Sequence, residues 1–310
     1  MNLMKKMVAL LLAVVLCIGF GAMAEETDLS NTLVYAGENE SAVNPVISAH
    51  DELVGLVFTG LLKLDANGKP VADLAESYEF DAETLTYTFN LRKDVKWHDG
   101  EAFNAEDVVF TYKVLTEDET LSSSIKSDYE DITSVEAIDD YTVVITLGRY
   151  CAAMETYFTV GIIPQHLLEG ADMNTTPFNQ KPVGTGKYKL TEWDTTGGML
   201  IFHRNEEYYD KVPNIERVIY KTVAVESTKA IMLESGEADL AWLNANYAES
   251  FRTKEGYKNW DFKTADYRGA SMDMSSDFWT RNADSIGVLN YALNKEAIVK
   301  SVLNLSLIHI

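Results

Sequence analysis

The sequence predicts a mixed α/β protein built from two subdomains. Three observations lead there: a stretch of hairpins ahead of residue 205, a strand–helix–strand run over 215–243, and 310 residues of which 46% are apolar. That length and composition suffice for two domains, and hairpins followed by a βαβ run are the pattern of mixed α/β layers.

Residues 32–36 (TLVYA) are a short β-rich run closed by Gly37-Glu38-Asn39-Glu40. After Asn44-Pro45 a helix is expected over 51–59, carrying Leu53, Val54, Leu56, Val57 and Phe58. Residues 78–80 and 85–91 read as strands joined by Asp81-Ala82-Glu83. In the second, Leu85, Tyr87, Phe89 and Leu91 alternate with polar residues, the period of a half-buried strand. Asn104 then caps a helix, with Asp107 three residues on as in a capping box. Val108, Tyr112 and Leu115 share one face of that helix, which predicts a buried stripe. A second hairpin, 135–138 with 141–147, turns at Asp139-Asp140. A third, 188–193 with 199–203, turns at Thr195-Thr196-Gly197-Gly198. Farther on come a strand at 215–223, a helix at 226–235 stopped by Gly236, and a strand at 239–243. Such a βαβ unit predicts parallel strands with a right-handed crossover.

The first residues set the compartment. Lys5 and Lys6 precede an uncharged apolar run over 7–20, and Ala22-Met23-Ala24 reads as a cleavage site with Glu25 as the new N-terminus. The run is too short to span a bilayer, which takes about 20 residues. Leu16 is bulky where lipoprotein processing at Cys17 wants a small residue. Export to the periplasm or another extracytoplasmic space is therefore expected, without a lipid anchor.

Losing residues 1–24 removes two lysines and no acids, which leaves 24 basic residues against 48 acidic ones. That balance repels phosphate backbones and argues against nucleic-acid binding. Cys151 is then the sole cysteine, so no internal disulfide is expected. His50, His98, His166, His203 and His309 form no metal-ligand spacing, and Gly184-Thr185-Gly186 lacks the rest of a phosphate loop. Carboxylate clusters at 117–119 and 128–131 lie in polar stretches, without the apolar surroundings that split catalytic pKa values. Cys151 has Arg149 nearby but no histidine close in sequence to serve as its base. Neither enzyme activity, nor a cofactor, nor a metal site is expected.

Several blocks follow one another in a telling order. They are PVADLAESY at 70–78, LTYTFNLR at 85–92, VKWHDGE at 95–101 and AEDV at 105–108. PVGTGKY at 182–188, RNEEYY at 204–209, SGEADL at 235–240 and LNYALNKEAIV at 289–299 come later. Together they resemble the extracellular solute-binding proteins of family 5, which include oligopeptide-, dipeptide- and nickel-binding proteins. The resemblance runs from about residue 33 to about 302.

The resemblance implies a two-lobed type II periplasmic-binding fold with a subdomain inserted in lobe 1. Residues 25–52 plus 183–266 would form the lobe 1 core and 53–182 the insert, while 267–310 would begin lobe 2, most of which is missing. It implies capture of oligopeptides or dipeptides by hinge closure, as a monomer serving the membrane permease subunits of an ABC importer. Nickel chelates, sugars or other small solutes are the alternative ligands, and a secreted hydrolase is the remote one. Candidate ligand-binding residues are Gly37, Glu38 and Asn39 at the end of the first strand, where α/β clefts bind ligands. Tyr267, Arg268 and Gly269 lie on the crossing strand, and Arg268 could pair with a ligand carboxylate. Tyr157 and Phe158 would project from the insert ahead of a strand at 162–164.

The sequence departs from the family pattern in places. Ile286 stands where the family often has arginine, and Val288 replaces a small residue. Residues 305–310 (LSLIHI) do not resemble the glycine-containing turn the family has next. A C-terminally truncated chain is expected, with weakened ligand binding and an exposed apolar patch around a helix over 284–303.

Overall fold

Apolar–polar alternation carries over directly into strands. A computed structural model describes residues 30–48, 52–261, 272–295 and 297. It divides into two compact units, one comprising the residues up to Tyr35 with Asn39–Thr222, the other Ala36–Glu38 with the residues from Val223 onward.

In chain order the first unit carries most of β1 (Thr32–Gly37), then α1 (Val54–Val57), β2 (Leu62–Leu64), β3 (Pro70–Ala72), β4 (Ala75–Asp81) and β5 (Thr86–Leu91). Next come α2 (Ala105–Glu117), β6 (Ile132–Asp139), β7 (Thr142–Leu147), α3 (Met154–Tyr157) and α4 (Gln165–Leu168). Strands β8 (Tyr188–Asp194), β9 (Met199–Arg204) and β10 (Arg217–Thr222) complete it.

Two sheets organise this unit. In the four-stranded sheet, ordered β4-β5-β7-β6, all three neighbouring pairs are antiparallel. Its register places Phe89 opposite both Tyr78 and Val143, and Tyr87 opposite both Phe80 and Ile145. Tyr87, Phe89, Val143 and Ile145 are buried, because α2 packs across β6 and β7. Strand β5 begins one residue later than the alternation suggests, since Leu85 has φ 55° and closes the preceding turn. In the other sheet the first unit contributes the order β1-β10-β9-β8, with β8 at the edge. One hydrophobic core runs through both sheets, from Phe89 and Val108 to Tyr188, Phe202 and Tyr220. That continuity keeps residues 39–222 within one compact unit.

The capping box forms as expected: Asn104 Oδ1 accepts from Glu106 N, and Asp107 accepts from Asn104 N. Val108, Tyr112 and Leu115 are fully buried. The helix expected over 51–59 shrinks to α1. Phe58 turns extended, and the Val57 carbonyl accepts from Gly186 N at 2.8 Å instead of continuing the helix ladder. No strand forms at 162–164.

Buried Tyr112 has a hydroxyl without a hydrogen-bond partner among the described residues. An unsatisfied buried hydroxyl costs about 1–3 kcal/mol, so Tyr112→Phe should leave the fold intact and raise stability by about 1 kcal/mol. Urea unfolding of both proteins checks this, and a loss of stability would contradict it.

The second unit takes the last residues of β1 and adds α5 (Glu226–Ser235), β11 (Leu240–Ala241), α6 (Ala245–Ala248), α7 (Asp277–Arg281) and α8 (Ile286–Ala292). Helix α5 has the predicted bounds, and Gly236 stops it in the left-handed region at φ 77°. Strand β11 is only two residues long. It lies beside β1, which separates it from β10 in the sheet order. The helix expected over 284–303 ends at Leu293, whose backbone is extended, and 298–310 fall outside the described residues. Val288, Tyr291 and Leu293 are exposed in this unit.

Candidate functional site

The motif blocks meet in the first unit. His98 N donates to Gly184 O at 2.8 Å, and Gly184 N donates back to His98 Nδ1 at 3.2 Å. Nδ1 is thus an acceptor, which puts the ring proton on Nε2, and Nε2 donates to Gly186 O at 3.0 Å. Asn205 Nδ2 reaches the same carbonyl at 3.2 Å, and Lys189 Nζ donates to His98 O at 3.0 Å. Trp97 is buried and gives its indole N–H to Asp107 Oδ2 at 3.1 Å. Asp107 Oδ1 also accepts from Gln165 N at 3.0 Å. Blocks 95–101, 105–108, 182–188 and 204–209 therefore build one structural junction.

The junction sets the His98 titration. Burial, aided by the Lys189 charge and opposed by the Gly186 bond and Asp99, brings its pKa down from 6.5 to about 4. Between those values the unfolded chain holds a proton that the native state does not, so native stability falls as pH drops from 6.5 to 4. The full loss is on the order of 3 kcal/mol.

At the end of β1 in the second unit, Gly37 is buried and its carbonyl accepts from Val223 N at 2.8 Å. The Glu38 side chain is 74% exposed, with Oε1 3.7 Å from the Nζ of Lys229, which is 1% exposed. Lys229 also pairs with Glu226 at 3.4 Å, and Glu226 Oε2 accepts from Asn244 N at 2.9 Å. Here α5 brings a buried cation to a strand end, the location where α/β units bind ligands. Sequence reasoning missed Lys229. Its signal was a lysine three residues after Glu226, directly ahead of the apolar run 230–233.

Of the other candidates, Asn39 belongs to the first unit and is exposed. Beside it in sequence, Glu40 accepts from Tyr220 OH at 3.4 Å, and the Tyr220 ring meets Tyr35 edge-on. Tyr157 is half-buried, and its carbonyl accepts from Tyr129 OH at 2.9 Å. Phe158 does not project from the insert. It is fully buried with its ring about Tyr87, Phe89 and Tyr112 at 5.0, 4.9 and 5.9 Å, which leaves it no face for a ligand. Tyr267, Arg268 and Gly269 lie outside the described residues. Among the described residues no group of three or more His, Cys, Asp or Glu could hold a metal ion.

The sequence profile of the bacterial extracellular solute-binding proteins, family 5 Middle, matches residues 69–306. The chain belongs to that family. Among curated relatives, Protein XP55 of Streptomyces lividans is 28% identical over 90% of this chain and 51% of its own. The crystal structure of NikZ from Campylobacter jejuni in complex with Ni(L-His) superposes with a TM-score of 0.81 at 37% identity, covering 88% of this chain and 55% of that one. AppA from Bacillus subtilis in complex with a nonapeptide gives 0.74 at 25% identity, covering 88% and 56%. The chain spans about half the length of the curated relatives it matches. A family 5 fold of mixed α/β type is thereby established for the described part. No described helix is long and apolar enough to cross a membrane.

Proposed function

We propose that this chain is the solute-binding component of an ABC importer, and that its ligands are short peptides. The family 5 membership carries this reading, supported by likeness to AppA in complex with a nonapeptide. The protein would be exported with cleavage after Ala24, act as a monomer, and hand an unchanged ligand to membrane permease subunits. Glu38 at the end of β1 would contact the ligand, with Lys229 beneath it. Edge-strand recognition of a peptide backbone at Tyr267, Arg268 and Gly269 would complement it. A second reading, capture of a nickel–amino-acid chelate, is favoured by the greater likeness to NikZ in complex with Ni(L-His).

Thermal unfolding with di- to nonapeptides and with Ni(L-His) separates the two. A ligand at 100 times its Kd adds about 2.7 kcal/mol, which amounts to a rise of about 4 °C in Tm for a chain of this size. Peptides should produce the rise and be recovered intact by mass spectrometry. A response to Ni(L-His) alone would move the assignment to the second reading, and hydrolysed peptides would defeat the binding role. Silence toward both from the folded full-length protein would overturn both readings.

A further inference from the structure

The binding role leaves one feature of the first unit unused: an imidazole whose two nitrogens both serve main-chain groups. We propose that His98 is an acid-operated latch. Uptake of a solvent proton at Nδ1 turns the acceptor of the Gly184 N–H into a donor, so the junction between the 97–101 turn and the 183–187 run opens.

The geometry gives protonation no neutral outcome. Nε2 already donates to Gly186 O, so only Nδ1 can accept the proton. Once it does, two N–H groups, one from Nδ1 and one from Gly184, point at each other, and like dipoles at hydrogen-bond distance repel. The charged groups facing the ring cannot absorb the change. Lys189 from β8 bonds the His98 carbonyl and adds a like charge. Asp99, on the same turn, is engaged with His166 of α4 at 2.9 Å. Asn205 is neutral and bonds Gly186 O, and α1 presents the Val57 main chain. Two further main-chain bonds, His98 N to Gly184 O and Gly186 N to Val57 O, border the ring and lose its support. The midpoint set by burial, about 4, places the latch shut at neutral pH and open in strong acid.

Nuclear magnetic resonance on the whole chain tests this by following the His98 ring and hydrogen exchange at the Gly184 amide from pH 7 to 3.5. The ring should take up its proton near pH 4. Gly184 protection, corrected for intrinsic exchange, should fall at least about tenfold over the same step, while the α2 amides keep theirs. His98→Gln offers an acceptor and a donor without a titrating group and should lose the step. A ring titrating near 6.5 with Gly184 still protected would overturn the latch, as would H98Q opening at the wild-type pH. The wild-type titration decides alone if H98Q does not fold.

Discussion

Gly184→Ala is expected to destabilise the first unit by at least about 3 kcal/mol, the upper range for overpacking a close-packed interior. A Cβ built on Gly184 would lie 1.9 Å from the Val57 carbonyl oxygen and 2.7 Å from its carbon. Those atoms are backbone and cannot swing aside as a side-chain end would. Any shift must also disturb the Gly186 N to Val57 O bond and both bonds between His98 and Gly184. Gly55 supplies the control, since a Cβ there meets nothing within 4 Å and the residue sits within α1. Gly55→Ala should be neutral or stabilising by up to about 1 kcal/mol, because alanine loses less backbone freedom on folding. Urea unfolding of the two variants beside the wild type provides the comparison. Equal stabilities for G184A and wild type would mean that the 184–186 run does not cross the Val57 backbone as closely as described.

Asp107→Ala should cost about 3–5 kcal/mol, since a buried carboxylate with several partners is removed at once. Its two oxygens accept from Asn104 N, the Trp97 indole and Gln165 N, and only 4% of the residue is exposed. The substitution therefore ends the capping box of α2 and strands an indole N–H and a main-chain N–H in the interior. Burial raises the Asp107 pKa despite the three donors that oppose it. Asp107→Asn keeps the size of the side chain but exchanges one acceptor oxygen for a donor amide. It should lose roughly half as much. The two variants measured together by chemical unfolding would distinguish lost hydrogen bonds from lost volume, and equal losses would point to charge as the dominant contribution.

Local chemistry was the legible part of the sequence. Asn104 and Asp107 are three residues apart and announce a helix start, and Tyr87 and Phe89 announce a buried strand face by alternation alone. Glu226 to Gly236 gave the bounds of α5, because a helix and its left-handed stop are encoded within one short run. The junction was hidden for the opposite reason. His98 and Gly184 are 86 residues apart, and no periodicity relates a turn histidine to a distant glycine. Phe158 was misread because an aromatic after a short helix looks the same in sequence whether it points outward or into a ring cluster. Lys229 was passed over since a lysine on an amphipathic helix ordinarily keeps its charged end in water. In the fold it is buried and pairs with Glu226 on its own helix and with Glu38 from far earlier in the chain.

The long separation between the two sides of the junction has a kinetic consequence. Hairpins β4–β5, β6–β7 and β8–β9 join residues close in sequence and close on the microsecond scale. Tying residue 98 to 184 requires the whole intervening chain to be drawn in before a single bond compensates for the lost freedom, and non-local pairings of that kind slow folding. The main-chain seam is therefore expected to close after the three hairpins. Were the chain exported as proposed, a seam that closes after the hairpins would lengthen the interval in which the newly made chain stays loose enough to be threaded through a narrow secretory pore.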